Sequence, residues 1–452
     1  MKKRVFAIMP FGKQSSHIDK RIKIDFDSIY EKAIKPACEE MNMSIIRADE
    51  EMCGGIIHTL MFERLVCADI AIVDISNQNA NVCYELGFRH CARENHTIII
   101  FDKKSKLPFD FNIERAIPYE LNKGTISNAN ANTLKESIKT RLKYILESNS
   151  IKDSPAFELI EGFPQTKLEE DKLQIYLKKQ DNYNKVKESI KNSKNIDNLD
   201  ECIKLINELD LNIKILAYFI IEKSKKLGVW DYIIKFLNKP EFKETYFKQQ
   251  LALAYNKTGK IEDKKIAEQI LNEILDSSGE TSETLGLLGS IYKRYYEIET
   301  DIDRKNGLLD IAIEYYEKGF NVDTTDYYPG INLATLLLEK YQISSDKKVL
   351  DKMNNVLNVV LYNINLLIND NTEDYWLLAT SYEANILSKD FDQAEKILNL
   401  IYKLKLKDKL IEAEVKSTYK NLNIIKNIYE QNHNDIDWFE NFSKKLEVKE
   451  GM

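Results

Sequence analysis

The chain has 452 residues, 43% hydrophobic and 30% charged, with a formal net charge of −7. That length exceeds one ordinary core and predicts two to four domains, and the composition is that of a folded chain rather than a disordered one. The acidic balance gives no general pull toward nucleic acid or an anionic membrane, and no apolar run approaches the ~20 residues of a membrane helix. The opening "MKKRVFAIMPFG" is too short in its apolar part for a signal peptide and has no cleavage site. Six cysteines without a CxxC pair read as reduced thiols, so the expected setting is the cytoplasm.

Residues 1–150 alternate strand and helix. "RVFAIM" (4–9) is an apolar run ended by Pro10, and 26–41 has helical spacing through Phe26, Ile29, Tyr30, Ala33, Ile34 and Ala37. "SIIRAD" (44–49) reads as a strand, and 55–69 as an amphipathic helix. "IAIVDI" (70–75), a helix from about Val82, "TIIIFD" (97–102) and a helix over roughly 132–146 complete the series. Strands apolar throughout and separated by helices predict a doubly wound, flavodoxin-like parallel sheet covered on both faces. Residues 151–167, with Pro155 and Pro164, read as a linker.

From 168 to 447 the strands vanish. Leu285, Leu288, Gly289 and Tyr292 have the spacing of a tetratricopeptide first helix, and Ala312, Tyr316 and Gly319 that of its second. "LALAYNKTG" and "DYWLLATSY" repeat the first-helix pattern. An irregular all-α tetratricopeptide-like array is therefore expected, with a plain helical bundle as the other option.

Ligands of open α/β sheets bind beyond the carboxyl ends of the strands. The sequence places Phe11 and Gly12, Arg47 and Asp49, and Asp74 with the loop of Asn77, Asn79 and Asn81 there, followed by Glu85 on the next helix. Glu85 as part of a capping box fits poorly: with Asn81 as cap the acid falls one position too far, and Val82 is a poor cap. An i,i+4 pair with Arg89 is another plain role. The chemical reading is a carboxylate held ionised by a helix N-terminus, supporting an anomeric carbon as an N-glycosidic bond breaks. Asn79 and Asn81 then orient sugar hydroxyls and Phe11 stacks on the base. Arg47 and Lys13 are candidates for phosphate contact, with a rim ion pair from Arg47 to Asp49 or Glu50 equally open. Arg115 and Tyr119 either close over the ligand or pack. Asp25 and Asp27 read first as helix caps. "GKQSS" is not a phosphate loop, and Cys83, His90 and Cys91 share a helix without a second ligand pair, so neither a metal nor a bound cofactor is expected.

"NANVCYELG", preceded by "ADIAIVDIS", resembles the signature of nucleoside 2-deoxyribosyltransferase-like domains, which are related to TIR-type NAD glycohydrolases. The resemblance implies that Glu85 is the nucleophile. "MPFG", "DFDSIY", "RADE", "GGIIH", "YELGFRH" and "LPFDFNIERAIPY" are similar to one bacterial branch, and "IAIEYYEKGF" with "YYPGINLATLLLEKY" resembles the TRAF-binding region of apoptosis-signal-regulating kinases. The same domain pair occurs in bacterial conflict and stress systems. Classical transferases carry an aspartate proton donor six residues before the nucleophile, where this chain has Asn79. That departure favours a leaving group needing no proton, such as nicotinamide, unless Asp49 or Asp74 donates one. The resulting expectation is an N-glycosidase acting on NAD or a nucleotide, homo-oligomeric, with a protein partner possible on the repeats. The alternatives are a non-catalytic nucleotide-sensing scaffold and a deoxynucleoside base-exchange enzyme.

Overall fold

A computed structural model describes residues 2–20, 22–47, 64–105, 116–147, 152–164, 170–369, 372–407, 410, 412–432 and 436–447. The chain divides into two compact units, Met1–Glu188 with Leu205–Tyr218, and Ser189–Lys204 with Phe219–Met452.

In the first unit five strands form a parallel sheet: β1 (Arg4–Ile8), β4 (Ser44–Arg47), β5 (Ile70–Asp74), β6 (Thr97–Asp102) and β7 (Ile117–Tyr119). The order is β4-β1-β5-β6-β7, so the chain steps to one side of β1 and then to the other. That is the flavodoxin-like reversal, and it opens a crevice at the carboxyl ends of β1 and β5. Two short strands, β2 (Lys13–Ser15) and β3 (Lys23–Asp25), form a separate antiparallel ribbon that the sequence did not announce.

Both sheet faces are covered, which is why these strands are apolar on successive residues. One face packs Val5, Ala7, Ile70, Ile72, Ile98 and Ile100 against Phe26, Ile29, Ala33, Leu134 and Ile138. The other packs Phe6, Ile8, Ala71 and Val73 against Leu65, Val82 and Leu86. The helix over the first face runs as α1 (Phe26–Ile29), a π-helical turn (Tyr30–Ile34) and α2 (Lys35–Glu40). Pro36 has no N–H to continue the α-helical ladder, and just before it the Lys35 N–H reaches back five residues to the Tyr30 carbonyl. The second face carries α3 (Ala80–Ala92). The last helix of the sheet layer, α4 (Asn128–Glu147), begins four residues before the expected start. Within the stretch anticipated as a linker, α5 (Pro155–Leu159) is tied down: Ser154 Oγ donates to the His90 carbonyl at 2.6 Å, and Asp153 accepts from the Thr97 N–H at 2.9 Å.

The second unit is helical. Antiparallel pairs follow one another, among them α10 (Thr245–Lys257) with α11 (Ile261–Ser278), α12 (Ser282–Ile298) with α13 (Ile302–Val322), and α14 (Tyr327–Ser344) with α15 (Lys347–Asn365). Preceding them in the chain are α6 (Glu170–Asn192), most of which belongs to the first unit, α7 (Ile196–Glu208) and α8 (Ile213–Lys226), which are divided between the units, and α9 (Trp230–Leu237). Following them are α16 (Tyr375–Leu387), α17 (Phe391–Leu406), α18 (Glu412–Gln431) and α19 (Asp437–Leu446). Small residues set the closeness of each pair. A Cβ at Gly289 would lie 2.8 Å from the Tyr316 ring, and one at Gly330 would lie 2.5 Å from Val360. Tyr316 and Leu288 are fully buried, as the repeat spacing requires. Among the described residues no helix is long and apolar enough to cross a membrane, and no cluster suited to a metal ion occurs.

Helical glycine replaced by alanine ordinarily gains about 0.5–1 kcal/mol. Overpacking costs about 1–3 kcal/mol. Because the Tyr316 ring is wedged between two helices, Gly289→Ala is expected to lower stability despite the helical gain. Denaturant melts of the full chain check the sign.

Candidate active site

The rim is built from loops that the sheet aligns. After β1 the chain passes Met9 and Pro10 to Phe11, which is 40% exposed, and Gly12, whose φ of +66° suits glycine. The Gly12 N–H donates to Asp27 Oδ1 at 3.0 Å. Arg47, at the end of β4 and 6% exposed, donates to the same oxygen at 2.8 Å, and its guanidinium lies 4.6 Å from the centre of the Tyr30 ring. Among the described residues Arg47 pairs with Asp27; Asp49 and Glu50, the partners the sequence offered, lie outside the described residues. Tyr30, the first residue of the π-helical turn, thus meets Arg47 in a cation–π contact. Asp25 caps α1, accepting from the Ser28 N–H at 3.1 Å.

Beyond β5 sits a buried polar ring. Asp74 Oδ1 accepts from the Ser76 hydroxyl at 2.5 Å and the Ser76 N–H at 3.0 Å, and Oδ2 accepts from the Tyr119 hydroxyl at 2.8 Å. Ser76 Oγ accepts from the Asp102 N–H at 2.8 Å, so the ring joins the ends of β5, β6 and β7. Burial pushes the Asp74 carboxyl up to about 6 against the opposing pull of the Ser76 and Tyr119 donors. Side chains alternate along β5: Val73 belongs to the face under α3, and Tyr119, the partner of Asp74, to the opposite face. Strand alternation therefore turns Asp74 away from the helix that bears Glu85. No hydrogen bond among the described residues joins the two carboxyls, and the Asp74 carboxyl is held by Ser76 and Tyr119. Asp102 escaped notice in the sequence because nothing local distinguishes it. Tyr119 was noted, but its bond to Asp74 was not foreseen.

The asparagine loop does structural work. Asn79, and neither Asn81 nor Val82, is the N-cap of α3: its Oδ1 accepts from the Asn81 N–H at 2.9 Å and the Val82 N–H at 3.3 Å. Asn77 accepts from the His17 N–H at 2.9 Å and donates to the Ser15 carbonyl at 3.1 Å, fastening the β2–β3 ribbon to the rim. Asn81 is exposed.

With Asn79 as cap, Glu85 is the sixth helical residue, beyond the reach of the first-turn dipole. It shares the inward stripe of Val82, Leu86 and Arg89 and is 9% exposed. Among the described residues its carboxyl makes no hydrogen bond and no ion pair. Burial pushes it up to about 7, so the expectation of a carboxylate held firmly ionised by the helix terminus is corrected. Arg89 is fully buried and donates through Nη1 to the carbonyls of Leu65 (2.7 Å) and Ala68 (2.9 Å) and through Nη2 to His96 (3.5 Å). It braces α3 against its neighbours rather than facing a ligand, and it does not pair with Glu85. Burial lowers His90 to about 4, and Cys91 is exposed.

The family described as Tetratricopeptide Repeats-Sensor (TPR-S) matches residues 228–337, from α9 into α14. The chain is also similar to the mitogen-activated protein kinase kinase kinase nsy-1 of Caenorhabditis elegans, at 29% identity over 164 residues. That similarity covers 34% of this chain and 11% of the kinase. Stacked repeats of this kind present extended surfaces on which proteins dock.

A raised carboxyl in the folded state contributes stability that is fully present below the ordinary glutamate value and is lost as pH rises through about 7. At pH 8 the buried charge costs on the order of 3 kcal/mol. Glu85→Gln is therefore expected to stabilise the chain at pH 8, with the gain shrinking toward pH 5. Urea titrations at the two pH values measure it.

Proposed function

We propose that the first unit is an N-glycosidase that cleaves NAD or a related nucleotide, with Glu85 as the carboxylate that meets the anomeric carbon. The carrying observation is Glu85 itself: a buried residue on the inward stripe of α3, the helix that follows β5, without a protein partner among the described residues. Structural carboxylates in such burial are paired. An unpaired one that lowers stability is characteristic of a functional site, and this favours catalysis over a non-catalytic nucleotide-sensing scaffold.

The chemistry follows from charge. As the C1′–N bond breaks, the electron pair leaves with the base and positive charge develops at C1′. Ionised Glu85 stabilises that carbon or forms an ester with it, and water then attacks C1′. A nicotinamide nucleotide carries its positive charge on the base ring, so the base departs neutral and needs no proton. The same charge, brought near Glu85, favours release of its proton. Adenine or cytosine would need a general acid, and the described residues offer none beside Glu85: the Asn79 carbonyl is engaged by the helix and Asp74 faces the other way. These features support NAD over deoxynucleoside exchange. The Phe11 ring and the Asn81 amide are the exposed groups suited to base and sugar, and Gly12 and Arg47 shape the floor. The repeats serve in this reading as the regulatory or assembly module, docking further copies or a protein partner in a cytoplasmic stress or defence system.

Incubation of the full chain with NAD, ribonucleotides and deoxynucleotides, followed by mass spectrometry, tests the reading. Base release is expected, fastest from NAD, and abolished in Glu85→Gln. Release at the wild-type rate by that variant, or none from any substrate by the wild type, overturns it. Because Glu85 must be ionised, kcat/KM for NAD should fall about tenfold per pH unit below pH ~7 and level off above it.

A further inference from the structure

We propose that Asp74 keeps its proton in the folded chain below neutral pH, closing a hydrogen-bonded ring with Tyr119 and Ser76 that locks the ends of β5, β6 and β7, and that this lock opens as the pH rises. Three oxygen–oxygen contacts close the ring: Ser76 Oγ to Asp74 Oδ1 at 2.5 Å, Ser76 Oγ to Tyr119 Oη at 2.8 Å, and Tyr119 Oη to Asp74 Oδ2 at 2.8 Å. Each contact at such a distance holds one proton. The two hydroxyls supply two. With Asp74 ionised, both point at the carboxylate, and the Ser76 and Tyr119 oxygens then face each other with lone pairs only. A proton on Oδ2 supplies the third: Asp74 donates to Tyr119, Tyr119 to Ser76, and Ser76 to Oδ1.

The neighbours complete the neutral ring. Ser76 Oγ also accepts from the Asp102 N–H at 2.8 Å, so both its lone pairs and its proton are used, and Oδ1 takes the Ser76 N–H at 3.0 Å as well. Asp74, Ser76 and Tyr119 are all buried, which keeps bulk water from replacing a partner. Among the described residues the titratable groups facing Asp74 are Tyr119 from β7 and Asp102 from β6, and a charge on Asp102 opposes a second one on Asp74. The helices packed on that face turn apolar side chains to it, Phe26 and Ile29 from α1 and Leu134 from α4. Burial, opposed by the Ser76 and Tyr119 donors and aided by Asp102, puts the titration at about 6. A carboxyl raised in this way contributes stability that is fully present below the ordinary aspartate value and is lost as pH rises through about 6. Ionisation takes the proton out of the Ser76–Tyr119 contact, which ties the loop after β5 to the edge strand β7.

Asparagine at this position tests the ring, because its amide copies the neutral acid: Oδ1 accepts from Ser76 and Nδ2 donates to Tyr119. In urea melts of the full chain, Asp74→Asn should match the wild type at pH 4 and lead it by about a hundredfold in folding equilibrium at pH 8. Glu85 titrates in both proteins and cancels in the comparison. Protection of the Asp102 amide against hydrogen exchange, corrected for the intrinsic rate, should fall between pH 5 and pH 8 in the wild type and stay level in Asp74→Asn. Infrared spectra at pH 5, with the aspartate carboxyl carbons isotopically labelled, should show a protonated-acid band in the wild type that Asp74→Asn lacks. Lower stability of Asp74→Asn at every pH overturns the proposal, since the ring would then require the carboxylate. Wild-type spectra without a protonated-acid band overturn it even if the variant fails to fold. Asp102 protection that ignores pH in the wild type also overturns it, because no lock would open. None of these readouts involves turnover, so the outcome is independent of the glycosidase reading.

Discussion

The parallel pairing of β1 with β4 on one side and β5 on the other governs the first unit. Because every strand points the same way, every strand's carboxyl end opens onto one rim. Because β4 and β5 flank β1, the chain leaves in opposite directions and a crevice forms between them. Arg47, Gly12, Asp27 and the loop that starts α3 are all placed by this arrangement. The buried Asp74–Ser76–Tyr119 ring locks the ends of β5, β6 and β7 behind it. Asp74, Ser76 and Tyr119 bind one another, whereas Glu85, on the helix over the other face, has no partner among the described residues.

The fold was legible to the extent that it is written in local apolar pattern. β1, β5 and β6 are continuous apolar runs because both faces of the sheet are covered. The pairing of α12 with α13 was legible because only glycine fits where Tyr316 crosses Gly289. The β2–β3 ribbon was not, since "KQS" and "KID" are short, carry charge and are held by Asn77 from sixty residues away. β7 was hidden by its three residues and by Pro118, which suits an edge.

The site divides the same way. Glu85 stands out in sequence as an acid just after a polar turn at a strand end, and it is buried on the inward stripe of α3. Its proton affinity was misjudged because burial is a tertiary property and the cap lies at Asn79. Arg47 and Arg89 show the limit most clearly. Arg47 lies at the carboxyl end of β4 and meets Asp27, whereas Arg89 binds three backbone carbonyls that precede β5 and β6, and nothing in the neighbouring sequence distinguishes these outcomes.

The account rests most heavily on the state of Glu85. Carbon-13 carboxyl NMR of the full chain, comparing wild type with Glu85→Gln to assign the resonance, measures it directly. The account predicts a titration near pH 7 that moves to lower pH when a non-hydrolysable cationic nicotinamide dinucleotide is added. A titration near the ordinary glutamate value, unmoved by that ligand, would contradict it.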